Sequence, residues 1–465
     1  MSLYLRKHFN LCKQLVFVYK NHRCVSTDSS NFYKPKRLYV SKMFQNFGMV
    51  QPAKSSLSCS SHKLMLYNEI IQQCYSGHYY ILPLGMRALE KLRRLIDEEM
   101  EATGAQKMVM PSMVPASLWK TSGRWSLKEV FKLSDRHHQD MCLSPTHEEV
   151  VTSLFGQYSP FSMKQFPIML YQMGPKFRDE ISPKYALLRC REFEMKDLYT
   201  FDCSEVSALE TYEKICEAYC RIFNRLKLPF IKVEADTGDI GGKKSHEFHL
   251  PSSVGEDYLL ICESCKYGRN IELVEINNIS FSLKKCFFLF FPTFLFQVGH
   301  SFYLSQKYSS LFNATYVNND NKICFAEMSC FGLGVTRILQ AAIEVLSSER
   351  QISWPSIIAP YQVCIIPQKE GYKSEETFSL AVSLSDQLTS RPHINGEVVI
   401  DDRLQMTVGR RLYEAKRIGY PYIIIVGKRS LESPPQFEVI SAGETNSSFM
   451  SVDSISYELS QTETI

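Results

Sequence analysis

Residues 171–202 read YQMGPKFRDEISPKYALLRCREFEMKDLYTFD. Two runs of alternating apolar residues flank a polar, proline-containing bend. That pattern predicts two antiparallel strands joined by a long loop. Facing residues on such a pair point the same way. Here Arg178, Glu180, Arg189, Phe193 and Asp197 take those positions, at spacings suited to a planar, charged ligand. An arginine fork suits phosphate or carboxylate. A carboxylate accepts from an exocyclic amine, and a Phe ring stacks on a base. The same residues also compose a plain salt-bridged hairpin, and nothing inside the stretch decides between the two.

The rest of the chain narrows the choice. At 465 residues it exceeds one ordinary core and suggests two to four domains. The net charge of +4 is uneven: residues 1–68 carry eleven Lys/Arg and one acid, Asp28. The remainder has 42 basic and 48 acidic residues, a net of −6. Any nucleic-acid contact must therefore come from a local basic patch and not from a global field. Residues 1–40 are basic, hydroxyl-containing and nearly acid-free, as in a mitochondrial transit peptide; a disordered basic tail has the same composition. Lys13 and Lys20 interrupt the apolar core that a secretory signal needs. Fifteen scattered cysteines suit a reducing compartment better than a disulfide framework.

Along the chain, Leu89, Leu92, Ile96 and Met100 recur at helical spacing, with Gly104 as a stop and KMVM as a short strand ending at Pro111. LSPTHEEVVTSLF, residues 143–155, places Thr146 as a helix cap with Glu148 and Glu149 in the first turn. Ser207 and Glu210 have the spacing of a capping box before a periodic helix. The Gly-rich turn at 237–244 lacks the Ser or Thr of a phosphate loop, because Lys244 follows Lys243. Cys262 and Cys265 form one C-x-x-C with only Cys286 nearby, which disfavours zinc. Residues 279–297, ISFSLKKCFFLFFPTFLFQ, are too short for a membrane span and contain Pro292. Phe, Leu, Ser and Pro are what pyrimidine-rich codons encode, and Gln297 is compatible with CAG. The segment therefore reads as a retained intron's polypyrimidine tract and acceptor site, or else as an unusually apolar core segment. Gly332, Gly334 and Arg337 follow as G-x-G-x-x-R at a strand-to-helix turn, where glycines admit a nucleotide close to the backbone. Beyond residue 347 a linker leads into short apolar runs alternating with helices, the pattern of a small mixed-sheet α/β domain.

In order, these motifs resemble the three signatures of class II aminoacyl-tRNA synthetases, and the chain from 79 to 427, apart from the Phe-rich insert, resembles prolyl-tRNA synthetase of the mitochondrial type. The second signature is FRDE, a loop, then Arg189, Phe193 and Asp197; the third is Gly332, Gly334 and Arg337. The implied fold is α/β overall. An α+β catalytic domain on an antiparallel sheet spans residues 60–350, and an anticodon-binding α/β domain with a mixed sheet spans 356–465. The implied activity is proline–tRNA ligation with ATP and its Mg2+, on tRNA(Pro), by a homodimer in the mitochondrial matrix, with no membrane partner and no editing domain in cis. The rival is a synthetase-like accessory protein without ligase activity, which would be expected to lose Arg178, Phe193 or Arg337.

By resemblance, Arg178 bridges the α-phosphate and the proline carboxylate, Glu180 accepts from the adenine amine, and Phe193 stacks on the adenine. Arg337 clamps the γ-phosphate side, while Arg189 and Asp197 support the hairpin and pocket. Thr146 and Glu148 take the two N–H groups of proline's secondary ammonium. Met195, Asp197, Tyr199, His300 and Cys330 complete the amino-acid pocket, although a structural His300 fits equally. Magnesium ligands are unassigned, with Glu327 a candidate. Arg403, Arg410, Arg411 and Lys428 are expected on the tRNA-facing surface, unless they form an ordinary solvated charged face.

Overall fold

A computed structural model describes residues 37–46, 57, 59–252, 255, 257–261, 268–270, 294–444 and 446–463. Residues 1–36 of the basic leader, the Cys262/Cys265 pair with Cys286, and residues 279–293 lie outside the described residues.

The larger, N-terminal domain is built on a nine-stranded sheet among the described residues. Its centre is four antiparallel strands: β1 (Ile168–Phe177), β2 (Glu192–Asp202), β4 (Phe294–Ser305) and β5 (Glu327–Gly334), in the spatial order β4-β5-β2-β1. The hairpin expected at 171–202 is thus β1 and β2, joined through a short 3-10 turn at Ala186–Leu188. Strand β3 (Lys244–Pro251) pairs with β4. β4 starts at Phe294, so the last four residues of the apolar segment 279–297 belong to a central strand.

Alternation along these strands separates two faces. Leu198, Phe331 and Leu333 point to one face, where α1 (Pro83–Ala102), α3 (Glu205–Arg225) and α4 (Val335–Leu346) pack in a common core. The apolar stripe of α1, including Leu89, Leu92 and Ile96, is fully buried there. Gly104 follows at φ +87°, where its missing Cβ permits the left-handed stop. The other face carries Tyr199, Phe201, Phe302 and Cys330 against α2 (Glu148–Tyr158). The cap of α3 falls three residues before its expected position: Ser204 accepts from the Ser207 amide at 3.2 Å. Asp202, at the end of β2, takes the Ser207 and Thr211 hydroxyls, so the strand-to-helix joint recruits Ser207 elsewhere.

The C-terminal sheet places β7 (Val398–Ile400) and β8 (Tyr422–Val426) parallel to and on either side of β6 (Val363–Pro367), with β9 (Phe437–Ser441) antiparallel beyond β8. Leu38–Tyr39 adds a parallel edge strand to β7. Residues 37–40, which the sequence places in the leader, are therefore part of the fold. Arg37 pairs with Asp386 at 2.7 Å, and the Ser41 amide and hydroxyl both donate to the Asp402 carboxylate. Residues 347–356 are not a loose linker either: Ile352 is fully buried and the Trp354 indole donates to the Ile418 carbonyl.

Candidate active site

A cleft of about 280 Å³ opens on the α2 side of the sheet. Strand register explains its lining. Phe193, Met195, Asp197 and Tyr199 are alternate residues of β2, so they share a face. Opposite them on β5 stand Gly334 beside Met195, Gly332 beside Asp197, and Cys330 beside Tyr199. His300 of β4 faces Gly332. One row of the sheet therefore reads His300, Gly332, Asp197, Gln172, and the bare Gly332 keeps its middle open. Arg178, just past β1, and Arg337, in the first turn of α4, close the same cleft, while Thr146 and Glu148 enter from the start of α2. Twelve of the sequence-derived site residues thus meet in one cavity: Thr146, Glu148, Arg178, Phe193, Met195, Asp197, Tyr199, His300, Cys330, Gly332, Gly334 and Arg337.

Thr146 is not the helix cap. His147 occupies that position, and the Thr146 hydroxyl donates to the Glu148 carboxylate at 2.7 and 2.9 Å. Glu148 is 2% exposed yet faces the cleft, so its charge invites a cationic partner. Arg178 offers the opposite charge. Among the described residues no carboxylate pairs with its guanidinium, which lies 5.3 Å from the Phe193 ring. Its Nε is buried with no hydrogen-bond partner among the described residues.

Asp197 is a buried node: the Tyr199 hydroxyl and the Gln172 amide donate to it at 2.9 and 3.0 Å, and Lys176 Nζ lies 2.8 Å away. Tyr199 in turn accepts from the His147 amide at 2.9 Å, which fixes the floor of the pocket. His300 accepts at Nδ1 from the Gln297 amide (3.1 Å), leaving Nε2–H to donate to Ser245 (2.7 Å). Burial, the nearby Arg178 and neighbouring histidines lower its pKa to about 4, so the ring is neutral at physiological pH. Arg337 donates to the Gln297 carbonyl at 2.9 Å.

Glu180 and Arg189 do not line the cavity; they bond each other at 3.0 Å at its rim, and that hydrogen bond leads the lowering of the Glu180 pKa. Here the plain salt-bridge reading describes what the pair does in this structure. Glu327 is not a magnesium candidate: it lies at the other end of β5, where Tyr303 and Gln306 satisfy its carboxylate at 2.7 and 2.8 Å. Two of the four arginine and lysine positions expected to face RNA are also corrected. Arg403 is bonded to Asp401 and Glu414, and Arg411 donates to the Asp401 and Pro367 carbonyls. Both are buried and hold the C-terminal fold together; Arg410 and Lys428 are exposed.

Sequence reasoning missed Arg124, Gln172, Lys176, His147 and Gln297, and it noticed the Gly-rich turn that follows Asp236 without placing it in the site. Arg124 lies 24 residues before Glu148, a spacing that carries no local signal. Gln172 and Lys176 were readable in principle, since they share the period-2 face of β1 with residues opposite Asp197 and Phe193.

The family descriptions "tRNA synthetase class II core domain (G, H, P, S and T)" and "Anticodon binding domain" match residues 131–346 and 362–462. Sheet, cleft and family match together define a class II aminoacyl-tRNA synthetase. The chain is 46% identical over 440 residues to the probable mitochondrial proline–tRNA ligase of Homo sapiens, covering 92% of each chain. It is 49% identical over 416 residues to that of Rattus norvegicus, covering 87% of each, and 40% identical over 380 residues to that of Schizosaccharomyces pombe, covering 80% of this chain and 87% of that one. The chain belongs to the prolyl-tRNA synthetases, in their mitochondrial branch. Its fold matches the crystal structure of prolyl-tRNA synthetase from Cryptosporidium parvum complexed with L-proline and AMP, with a TM-score of 0.71 at 18% identity over 86% of this chain and 74% of that one. It also matches the Giardia lamblia prolyl-tRNA synthetase in complex with prolyl-adenylate, with a TM-score of 0.71 at 21% identity over 84% and 73%.

Proposed function

We infer that this chain is a mitochondrial proline–tRNA ligase that activates L-proline with ATP and esterifies it to tRNA(Pro). The observation that carries the reading is charge placement in one cleft. The Thr146–Glu148 pair is suited to a secondary ammonium, and Arg178 presents a guanidinium without a carboxylate partner among the described residues.

In the first step a carboxylate oxygen of proline attacks the α-phosphorus of ATP. The bond to the bridging oxygen breaks and pyrophosphate leaves. In the second, a 3′-terminal ribose hydroxyl of the tRNA attacks the carbonyl carbon and loses its proton as AMP departs. No side-chain nucleophile is required; positioning and charge stabilisation supply the catalysis. Arg178 sits between proline carboxylate and α-phosphate, Phe193 stacks on adenine with Glu180 at its amine, and Arg337 holds the γ-phosphate side. Thr146 and Glu148 take the ammonium, while Met195 and Tyr199 wall the pyrrolidine. Magnesium accompanies ATP as the counter-ion of its phosphates, and no step is assigned to a protein-bound ion.

A second copy of the chain would cover the face beside α1, where Val109 and Met113 are exposed. The interval 204–329 between the second and third signatures is short enough that no editing module is proposed in cis. Hydrolysis of Ala-tRNA by the purified chain alone would refute that. Arg178→Ala is expected to abolish proline-dependent ATP–pyrophosphate exchange, and near-normal exchange would remove Arg178 from this role.

A further inference from the structure

The amine-binding pair is wired to the wall of the cleft. A single nitrogen of Arg124, Nη1, donates to Glu148 at 3.2 Å, to Glu149 at 3.1 Å and to the Tyr308 hydroxyl at 3.3 Å. The Tyr308 hydroxyl donates in turn to the Ile240 carbonyl at 3.2 Å, which also accepts from Lys307 Nζ at 2.6 Å. Ile240 ends the run Asp236, Thr237, Gly238, Asp239, Ile240, all five of which line the cleft. The turn is tight: the Gly241 amide returns to the Thr237 and Gly238 carbonyls, and Gly242 has φ +125° with a Cβ position only 2.3 Å from the Tyr303 carbonyl oxygen. Shifting Ile240 therefore shifts the whole wall.

Charge balance points the same way. Glu148 and Glu149 are 2% and 0% exposed, and one guanidinium, itself 7% exposed, serves both. The two carboxylates share that guanidinium directly, with Lys307 the next cation near them, and Glu148 is the one of the pair that faces the cleft, where an ammonium can meet it. Without Arg124 the two buried carboxylates would repel each other and share a proton. Burial, reinforced by Glu148, holds the Tyr308 hydroxyl far above its ordinary pKa, so it stays protonated and able to donate to the Ile240 carbonyl.

Resting on the reading of Thr146 and Glu148 as the amine site, we propose that Arg124 and Tyr308 are positioning residues for proline. They lock the ammonium-binding carboxylate and the cleft wall at Ile240 into one rigid unit whose spacing selects the pyrrolidine ring. Neither touches the reacting atoms. The gain is preorganisation: the slot is set before the substrate arrives.

The test is steady-state ATP–pyrophosphate exchange with proline and with alanine, using the full chain and its Glu148→Gln, Tyr308→Phe and Arg124→Lys variants. Tyr308→Phe keeps the buried ring and removes one hydroxyl. It is expected to raise the proline KM about 5- to 10-fold, the size of one lost buried hydrogen bond. It should leave the ATP KM and the proline kcat within about two-fold and reduce the preference for proline over alanine. Arg124→Lys keeps the charge on a shorter side chain, whose ammonium stops short of the Nη1 position that meets Glu148, Glu149 and Tyr308, and should move the proline KM in the same direction. A melting temperature close to that of the parent confirms folding. If Glu148→Gln raises the proline KM but Tyr308→Phe changes neither KM nor selectivity, the positioning role is overturned. A Tyr308→Phe variant that loses kcat and raises both KM values alike would make the contact merely structural. If Glu148→Gln itself leaves the proline KM unchanged, the amine-site reading fails, and that failure is visible separately.

Discussion

His300 sits in the cleft as a neutral imidazole, and its environment gives that state a thermodynamic signature. Its folded pKa of about 4 is below the 6.5 of an unperturbed histidine, so the unfolded chain binds the extra proton first. The stability it contributes is complete above about pH 6.5 and is lost as pH falls toward about 4. His300→Gln should therefore show a smaller drop in melting temperature between pH 7 and pH 5 than the parent. Equal drops would mean that His300 is not shielded as its surroundings require. The resemblance implied only that it lies near the site; its register opposite Gly332 and its tautomer depend on strand pairing and on Ser245 of a neighbouring strand, which the sequence does not show. Arg403 and Arg411 teach the reverse lesson. A sequence shows that arginines cluster, but only the fold shows that their guanidiniums turn inward to Asp401, Glu414 and two carbonyls.

At the scale of elements, the second signature was readable because its chemistry follows the two-residue repeat of a strand: Phe193, Met195, Asp197 and Tyr199 could only share a face. The loop-borne pair Glu180 and Arg189 has no such repeat, and it sits at the rim and not inside the cavity. The edge strand Leu38–Tyr39 was hidden for a different reason. Two residues carry no periodic signal, and their partner Val399–Ile400 lies 361 positions away in sequence. This short strap gives a clear prediction. A chain starting at Arg37 should melt like the full chain, whereas one starting at Phe47 should melt lower and exchange amide hydrogens faster in β7. Indistinguishable melting of the two truncations would show that the strap contributes nothing. The Arg37–Asp386 pair is exposed and screened by solvent, so most of the effect must come from the strand ladder and the Ser41–Asp402 contacts.

At the scale of the molecule, the catalytic and C-terminal domains meet through α1. Lys91 bonds Glu397 at 2.6 Å and the Ala359 carbonyl at 2.6 Å, both largely buried, while Arg87 reaches the Pro360 carbonyl at 2.7 Å. Breaking such a pair leaves an uncompensated buried charge and costs about 3–5 kcal/mol. Glu397→Gln should therefore loosen the docking of the anticodon-binding domain. Proline-dependent ATP–pyrophosphate exchange, which needs only the cleft, should persist, while charging of tRNA(Pro) should fall several-fold. Equal loss of both activities would place the damage inside the catalytic domain instead. The bond from Arg337 to residue 297 has a consequence for messages that differ in the 279–297 region. The acceptor is a backbone carbonyl, so it is blind to side-chain identity. Whichever residue a shorter message joins to Val298 would offer the same oxygen, provided that β4 keeps its register against β5. Two translation products could then differ by a whole apolar segment and still present the same arginine to ATP.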